Sequence, residues 1–308
     1  MIWILMVLLV ILGGCFGFYL FIFSNFHKKT KKYDILKKPE YKEYTPQRIA
    51  AIERCRTIPP ETVHVLSYDG KALYGRLYVQ NENAPWHIIH HGYRGNGVHV
   101  MAPHFLHIWD RGENVLLVDL RSNGRSEGHT ITFGIRERRD TLVWANYLID
   151  RFGKNIDLFL DGLSMGAATV LMTCDLELPK QVRGIIADCP YSSPMAIIGS
   201  EIRKAIHVEK PMLPVVFISA LLFGRFYILE SSPIQAVQKT PVPILLLHGT
   251  QDAFVPFSMS EDIQKANPKM VRLVPIEGAP HVMALLKDPD TYTRAVAEFI
   301  AACTAETE

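Results

Sequence analysis

Residues 156–172 read IDLFLDGLSMGAATVLM. The first six residues form an apolar run that predicts a buried strand, and the last six predict the start of a helix. Between them lies a Gly-x-Ser-x-Gly pattern, which is typical of a tight turn between a strand and a helix. Such a turn strains the backbone of Ser164 and exposes its oxygen above the sheet, in front of a helix N-terminus. We therefore predict that Ser164 is a nucleophile.

A serine hydroxyl is a weak nucleophile near neutral pH, so Ser164 needs a base and a group that orients the base. A predicted strand at 242–248 ends in a loop that carries Asp252, and His281 follows the predicted strand 271–275. The chain order serine, aspartate, histidine differs from that of the chymotrypsin and subtilisin types. We predict that His281 is the base and that Asp252 orients it.

An early predicted strand, residues 86–90, runs into the glycine-rich turn HGYRGNG at 91–97. In serine hydrolases with this chain order, such a turn presents one backbone N–H to the oxyanion, and the residue after the nucleophile presents another. We therefore expect an oxyanion hole made by the N–H groups of Tyr93 and Met165. His90 and His91 precede the turn and are expected to orient it.

Over residues 60–303 the chain resembles α/β-hydrolases of the serine-esterase kind. Besides the Ser164 turn, it shares the loop DLRSNGRS at 119–126, which such proteins often carry for structural reasons. Within this family it looks closest to bacterial hydrolases with an N-terminal membrane segment. The resemblance implies a mostly parallel, doubly wound, eight-stranded sheet with a helical cap inserted at about 191–240. Serine at position 164 excludes the dehalogenase and epoxide hydrolase branches, which place aspartate there.

Asp188 competes with Asp252 as the carboxylate that orients His281. Asp188 ends the predicted strand 184–187, and a few proteins of this fold take their acid from that strand. The Asp252 loop fits the common pattern better, because it reads Asp-x-x-Val-Pro after a strand that ends in His-Gly. His248 ends that strand and is not assigned a direct chemical role.

The composition argues against several other classes of protein. The net charge is +2 with 21% charged residues, so no strong field for nucleic acid is expected. Metal-ligand spacings of the Cys-x-x-Cys or His-Glu-x-x-His kind and a phosphate-binding glycine loop are absent from the sequence. We expect no cofactor, no metal and no nucleic-acid partner.

The N-terminus is the one region that departs from a soluble enzyme. Residues 2–23 contain no charged side chain and are long enough to span a bilayer. A basic start, a short apolar core and a cleavage site would indicate a signal peptide, and none of these is clear. A lipoprotein-like box at 12–15 is disfavoured because the apolar run continues beyond Cys15. We predict a retained single-pass transmembrane anchor at 1–24.

The anchor is expected to be followed by a juxtamembrane linker, 25–60, and an α/β-hydrolase domain, 61–303. Within the linker, a helix is expected around 46–55. Lysines cluster at 28–32 and 37–38, and the five cysteines are scattered. The positive-inside rule and free thiols both favour a cytoplasmic catalytic domain. We expect this domain to be independent of the anchor, so that a chain starting near Lys31 would be soluble and active.

Further elements follow from periodicity. A hairpin is predicted within 62–79, around Asp69-Gly70, and helices are predicted at 99–111, 136–152, 165–177, 258–267 and 289–303. The apolar run 211–223 in the cap region is expected to be a buried helix. A second possibility is that it lines an acyl pocket or touches the bilayer.

The expected activity is cleavage of small-molecule carboxylic esters with an apolar acyl or aryl group, through an acyl-enzyme intermediate. Two alternatives from other classes stay open. One is a peptidase or amidase with the same three residues. The other is a catalytically inactive binding module on the same fold.

Overall fold

The computed structural model describes residues 2–26 and 39–305. Eight strands form one sheet, and their order across it is β1-β2-β4-β3-β5-β6-β7-β8. β2 is antiparallel to both β1 and β4, and the other neighbours are parallel. This confirms the predicted eight-stranded, mostly parallel sheet. The strands are β1 Glu61–Leu66, β2 Ala72–Tyr78, β3 Trp86–His90, β4 Asn114–Asp119, β5 Leu158–Leu163, β6 Val182–Asp188, β7 Ile244–Gly249 and β8 Val271–Ile276.

Helices cover both faces of this sheet, and every residue of the central strands β3, β4, β5 and β7 is therefore buried. The helices predicted at 99–111, 136–152, 165–177, 258–267 and 289–303 are present, with ends that differ by a few residues. The run 211–223, expected to be a buried helix, is helical, but only Val216, Ser219 and Ala220 in it are buried. The helices are α1 Ile2–Phe18, α2 Thr45–Arg56, α3 Gly97–Trp109, α4 Glu137–Phe152, α5 Met165–Met172, α6 Pro194–Ile206, α7 Leu213–Ile218, α8 Pro233–Ala236, α9 Ser258–Ala266, α10 Ala284–Lys287 and α11 Pro289–Ala305.

The helical insertion between β6 and β7 contains α6, α7 and α8, as the resemblance implied for residues 191–240. α6 begins at a proline, and the Ser193 side chain caps it by accepting a 3.0 Å hydrogen bond from the N–H of Ala196. α7 continues into a π-helical turn, Ser219–Phe223. The insertion therefore lies beyond the carboxyl end of β6, where ligands of open α/β sheets bind.

The N-terminal helix is joined to the domain at its C-terminal end. α1 continues as a π-helical turn, Tyr19–Phe23, and the combined helix Ile2–Phe23 is long and apolar enough to cross a membrane. Its first part is exposed, whereas Cys15, Tyr19 and Phe23 are buried. These three positions are four residues apart, so they lie on one face of the helix. That face packs against the domain.

The chain just after this helix also pairs with the domain. The N–H of Asn25 donates to the carbonyl oxygen of His129 at 2.7 Å, and the N–H of Ile131 donates to that of Phe23 at 2.7 Å. The expectation of a domain independent of the anchor therefore differs from the structure, in which Phe23 belongs to the main hydrophobic core.

Within the predicted linker 25–60, the helix expected around 46–55 is present as α2, but it packs on the domain. Residues 39–56 form a 3₁₀ turn, Pro39–Tyr44, and then α2, which buries Ile52 and Cys55 against α3. This segment is part of the domain because its apolar side chains complete the core on that face of the sheet. The lysine clusters at 28–32 and 37–38 lie outside the described residues.

Candidate active site

The turn at Ser164 has the geometry that the sequence predicts. Ser164 has φ 57° and ψ −115° and lies directly before α5. A Cβ on Gly162 would lie 2.3 Å from the backbone of Gly166, and one on Gly166 would lie 2.1 Å from the carbonyl oxygen of His90. Both flanking positions therefore need glycine, because β3, β5 and α5 approach one another too closely for a side chain.

His281 lies within hydrogen-bonding distance of both Ser164 and Asp252. His281 Nε2 is 3.0 Å from Ser164 Oγ, and His281 Nδ1 is 2.6 Å from Asp252 Oδ2. An ionised carboxylate only accepts hydrogen bonds, so Nδ1 carries the proton and donates it to Asp252. Nε2 is then left as the acceptor that faces the serine hydroxyl.

Asp252 is buried and held by several donors. Its Oδ1 accepts hydrogen bonds from the N–H groups of Phe254 and Val255, both at 2.8 Å. Burial alone would raise the pKa of Asp252, but hydrogen bonds from His248 and His281 outweigh burial and hold that pKa below its ordinary value. Asp252 is therefore ionised at neutral pH.

His248 is a contributor to this site that the sequence analysis left without a role. It is fully buried, and its Nε2 lies 3.0 Å from the carbonyl oxygen of Val255 and 3.3 Å from Asp252 Oδ2. Both neighbours are acceptors, so Nε2 carries a proton and Nδ1 accepts from the Ser260 hydroxyl at 2.7 Å. His248 thus fixes the loop that carries Asp252.

The competing acid, Asp188, has another partner. Its Oδ2 lies 3.1 Å from Nε2 of His104, a residue of α3. The structure thus pairs His281 with Asp252 and His104 with Asp188.

The glycine-rich turn lies against the serine. A Cβ on Gly92 would be 3.4 Å from the Ser164 Cβ. His91 braces the turn, because its Nε2 accepts a 3.1 Å hydrogen bond from the N–H of Leu120 and its Nδ1 lies 2.7 Å from the carbonyl oxygen of Gly92. Tyr93 and Met165, the two expected oxyanion-hole residues, both line the cavity that contains Ser164.

The Tyr93 turn is also bound to the N-terminal helix. The Tyr93 hydroxyl donates to the carbonyl oxygen of Ile22 at 2.6 Å, and Arg94 Nη2 donates to those of Phe21 and Ser24 at 2.6 and 2.9 Å. These carbonyls belong to the end of a helix, where intrahelical partners are missing. Burial raises the pKa of Tyr93 to about 12, so its hydroxyl remains a donor at neutral pH.

A cavity of about 370 Å³ opens above Ser164 and is large enough for a small-molecule ligand. Three of its walls come from separate parts of the chain: the end of the N-terminal helix, α6, and the turn at Tyr93. Its lining is mostly apolar and consists of Phe18, Phe21, Ile22, Tyr93, Arg94, Phe133, Ser164, Met165, Tyr191, Ile197, Ile198, Glu201, Ile202, Ala205 and Phe254. The sequence analysis missed the N-terminal contribution to this lining.

One group of potential metal ligands occurs among the described residues, and it overlaps this site. Ligand atoms of Cys189, Asp252 and His281 lie within 4.8 Å of one another. Burial, with smaller contributions from Asp188 and Asp252, raises the pKa of Cys189 well above its ordinary value, so this thiol is protonated. Asp252 Oδ2 and His281 Nδ1 are already hydrogen-bonded to each other at 2.6 Å, so a metal at this group would have to break that pair. The group therefore does not fit a metal.

Comparisons with known proteins place this geometry in a known fold. No family model matches the chain. The uncharacterized protein YqkD of Bacillus subtilis is 29% identical over 217 residues, which cover 69% of this chain and 70% of that protein. The Pyrococcus furiosus esterase Pf2001 has a TM-score of 0.64 at 22% identity and covers 81% of this chain and 94% of its own. Est1E from Butyrivibrio proteoclasticus, with bound ferulic acid, has a TM-score of 0.60 at 22% identity. The match covers 79% of this chain and 99% of Est1E.

These likenesses to solved structures concern the fold, which in this chain is an eight-stranded, mostly parallel sheet with helices on both faces. The chain has the α/β-hydrolase fold.

Proposed function

We propose that the protein is a serine hydrolase that cleaves carboxylic esters with an apolar acyl or aryl group. The observation that carries this proposal is the hydrogen-bonded series Ser164–His281–Asp252 at the base of a mostly apolar cavity. An apolar cavity with few polar groups suits an acyl or aryl chain. The names of two structural neighbours, an esterase and a protein solved with ferulic acid, support an ester substrate.

In the first half of the reaction, Ser164 Oγ attacks the ester carbonyl while His281 Nε2 takes the hydroxyl proton. Asp252 stabilises the imidazolium that results. The negative charge on the tetrahedral oxygen is bound by the N–H groups of Tyr93 and Met165, and loss of one such donor typically costs about 3 to 4 kcal/mol. His281 then gives its proton to the leaving alcohol, and the acyl group remains on Ser164.

In the second half, His281 removes a proton from water, and the resulting hydroxide attacks the acyl-enzyme. Collapse of the second tetrahedral intermediate releases the carboxylic acid and returns the proton from His281 to Ser164. This cycle uses no cofactor or metal.

We also propose that the protein is a single-pass membrane protein with its domain on the cytoplasmic side. The helix Ile2–Phe23 supports the span. The lysines at 28–32 and 37–38 support the orientation through the positive-inside rule. The five cysteines are all free thiols, in keeping with a reducing compartment.

The test compares an ester with its amide analogue. Full-length protein in detergent micelles is assayed with 4-nitrophenyl butyrate and with the butyryl 4-nitroanilide, and Ser164→Ala is the control. We expect Ser164-dependent turnover of the ester and far slower turnover of the anilide. Comparable cleavage of the anilide would instead indicate an amidase, and absence of turnover for both would indicate a binding module.

A further inference from the structure

The length of the N-terminal helix limits how far the domain can stand from the membrane. Its 22 residues, Ile2–Phe23, span about 33 Å at 1.5 Å per residue, close to the roughly 30 Å hydrocarbon core of a bilayer. Within the described helix, residues 2–14 precede the first buried contact with the domain, at Cys15. Those 13 residues cover about 20 Å, so a helix that spans the bilayer draws its domain contacts into the near leaflet.

The part of the domain that meets the helix is suited to such an environment. The π-helical turn Ser219–Phe223 packs on the helix, with the Ser219 hydroxyl 2.9 Å from the carbonyl oxygen of Cys15 and the Phe223 ring centroid 5.2 Å from that of Phe16. On the same turn, the side chains of Leu221 and Leu222 are about half exposed. Exposed apolar side chains beside a membrane helix reduce their contact with water when they insert into lipid.

The cavity above Ser164 reaches this membrane-facing side. Phe21 lines the cavity and is also 73% exposed, so the cavity borders the exposed surface at the end of the helix. Arg94 and Ala205, which line the cavity nearby, are exposed as well. The cavity therefore opens beside the end of the helix, at a depth that the helix length places near the hydrocarbon boundary.

We propose that the substrate is an ester lipid of the same bilayer, which enters the cavity laterally beside Phe21 and lays its acyl chain between the N-terminal helix and α6. This proposal rests on the hydrolase function proposed above. Phe18 and Ile22 on the helix side and Ile198 and Ile202 on the α6 side provide apolar contacts for the chain. The ester group then reaches Ser164, and the membrane segment serves as a wall of the substrate site as well as an anchor.

The first test asks whether the substrate must share the enzyme's bilayer. Full-length protein is reconstituted in phosphatidylcholine vesicles, and 4-methylumbelliferyl palmitate is added either to the same vesicles or to separate vesicles. We expect initial rates at least about tenfold higher when enzyme and ester share a bilayer. Equal rates in the two arrangements would overturn lateral entry.

A soluble ester separates failure of this proposal from failure of the hydrolase function. Turnover of 4-nitrophenyl butyrate without turnover of the palmitate ester in the shared bilayer would overturn the lipid substrate and leave the hydrolase standing. No Ser164-dependent turnover of either ester would overturn both.

A variant tests the route itself. Phe21→Asp places a charge where the acyl chain of the substrate must pass. Because Phe21 is exposed, the substitution leaves the packing of the core intact. We expect the ratio of palmitate to butyrate turnover to fall at least about tenfold. The matched control is Val79→Asp, an exposed apolar residue just after β2, at the opposite end of the sheet, for which the ratio should stay at the wild-type value. An unchanged ratio in Phe21→Asp would overturn entry beside the helix.

Discussion

The hydroxyl of Tyr93 donates a 2.6 Å hydrogen bond to the carbonyl oxygen of Ile22. This bond joins the loop that carries a proposed oxyanion donor to the last turn of the N-terminal helix. The neighbouring Arg94 binds two further carbonyls of the same segment. The position of the Tyr93 N–H therefore depends on residues that the sequence assigns to a membrane anchor.

Loss of the Tyr93 hydroxyl should affect catalysis through this loop. Tyr93→Phe leaves the Ile22 carbonyl without its donor, and we expect kcat for a soluble ester to fall up to about tenfold, since such a bond is worth about 1 kcal/mol. The control is Tyr19→Phe, which removes a 2.9 Å hydrogen bond between the helix and Thr130, outside the Tyr93 loop. Equal kcat values for the two variants would contradict this role of the bond.

The end of the N-terminal helix should also contribute to stability. The Phe23 ring is fully buried, and its centroid lies 5.7 Å from the ring centroid of Phe133 and 5.4 Å from that of Phe226. Phe23→Ala should reduce the free energy of unfolding by about 3 to 5 kcal/mol and lower Tm in detergent. Leu9→Ala, in the exposed part of the same helix, should have little effect in detergent. A chain starting near Lys31 should be unstable, and a stable, active product would show that the domain is independent of the helix.

The pairing of His281 with Asp252 predicts which carboxylate matters for turnover. Asp252→Asn removes the acceptor that fixes the imidazole tautomer, and we expect kcat to fall by about four orders of magnitude. Asp188→Asn changes the partner of His104 and should have a much smaller effect on kcat. Both are compared at a temperature where each variant is folded. A larger loss in Asp188→Asn would reverse the assignment.

A buried histidine outside the site predicts a pH dependence of stability. His87 Nδ1 lies 2.8 Å from Asp161 Oδ2, and Nε2 lies 3.0 Å from Glu113 Oε2. Burial alone would lower the pKa of His87, but these two carboxylates raise it to about 9. Because the pKa of His87 is higher in the folded than in the unfolded protein, protonation of His87 stabilises the folded state. This contribution is fully present below the pKa of the unfolded state, near 6.5, and is lost as the pH rises through about 9.

The measurement is the free energy of unfolding between pH 6 and pH 10 for the wild type and His87→Gln. We expect the wild type to lose up to about 3 kcal/mol more than the variant over this range, at 1.4 kcal/mol per pH unit. Parallel curves for the two proteins would show that His87 does not carry the effect.

Much of the fold and of the candidate site could be predicted because its signals are local. The two glycines around Ser164 are required because a Cβ at either position would lie 2.1 or 2.3 Å from neighbouring backbone atoms, and such a requirement appears directly as a residue pattern. The positions of Asp252 and His281 after the last two strands follow from the order in which a parallel sheet is built.

The contacts of the N-terminal helix could not be predicted in the same way. An apolar side chain such as Phe23 has the same hydrophobicity whether it faces lipid or a protein core, so the run 2–23 indicates a span and nothing about its partner. The four-residue spacing of Cys15, Tyr19 and Phe23 gains meaning only once the opposing surface is known. His248 was missed for a similar reason, since a buried histidine at a strand end is recognised as a support for Asp252 only through its distances.

The central claim is that Ser164 is a nucleophile activated by His281, and covalent labelling tests it most directly. Full-length protein is treated with a fluorophosphonate probe, and the modified peptide is identified by mass spectrometry. We predict a single adduct on Ser164, no labelling of Ser164→Ala, and strongly slowed labelling of His281→Ala. Persistent labelling of folded Ser164→Ala, or an adduct on another residue of the wild type, would contradict the account.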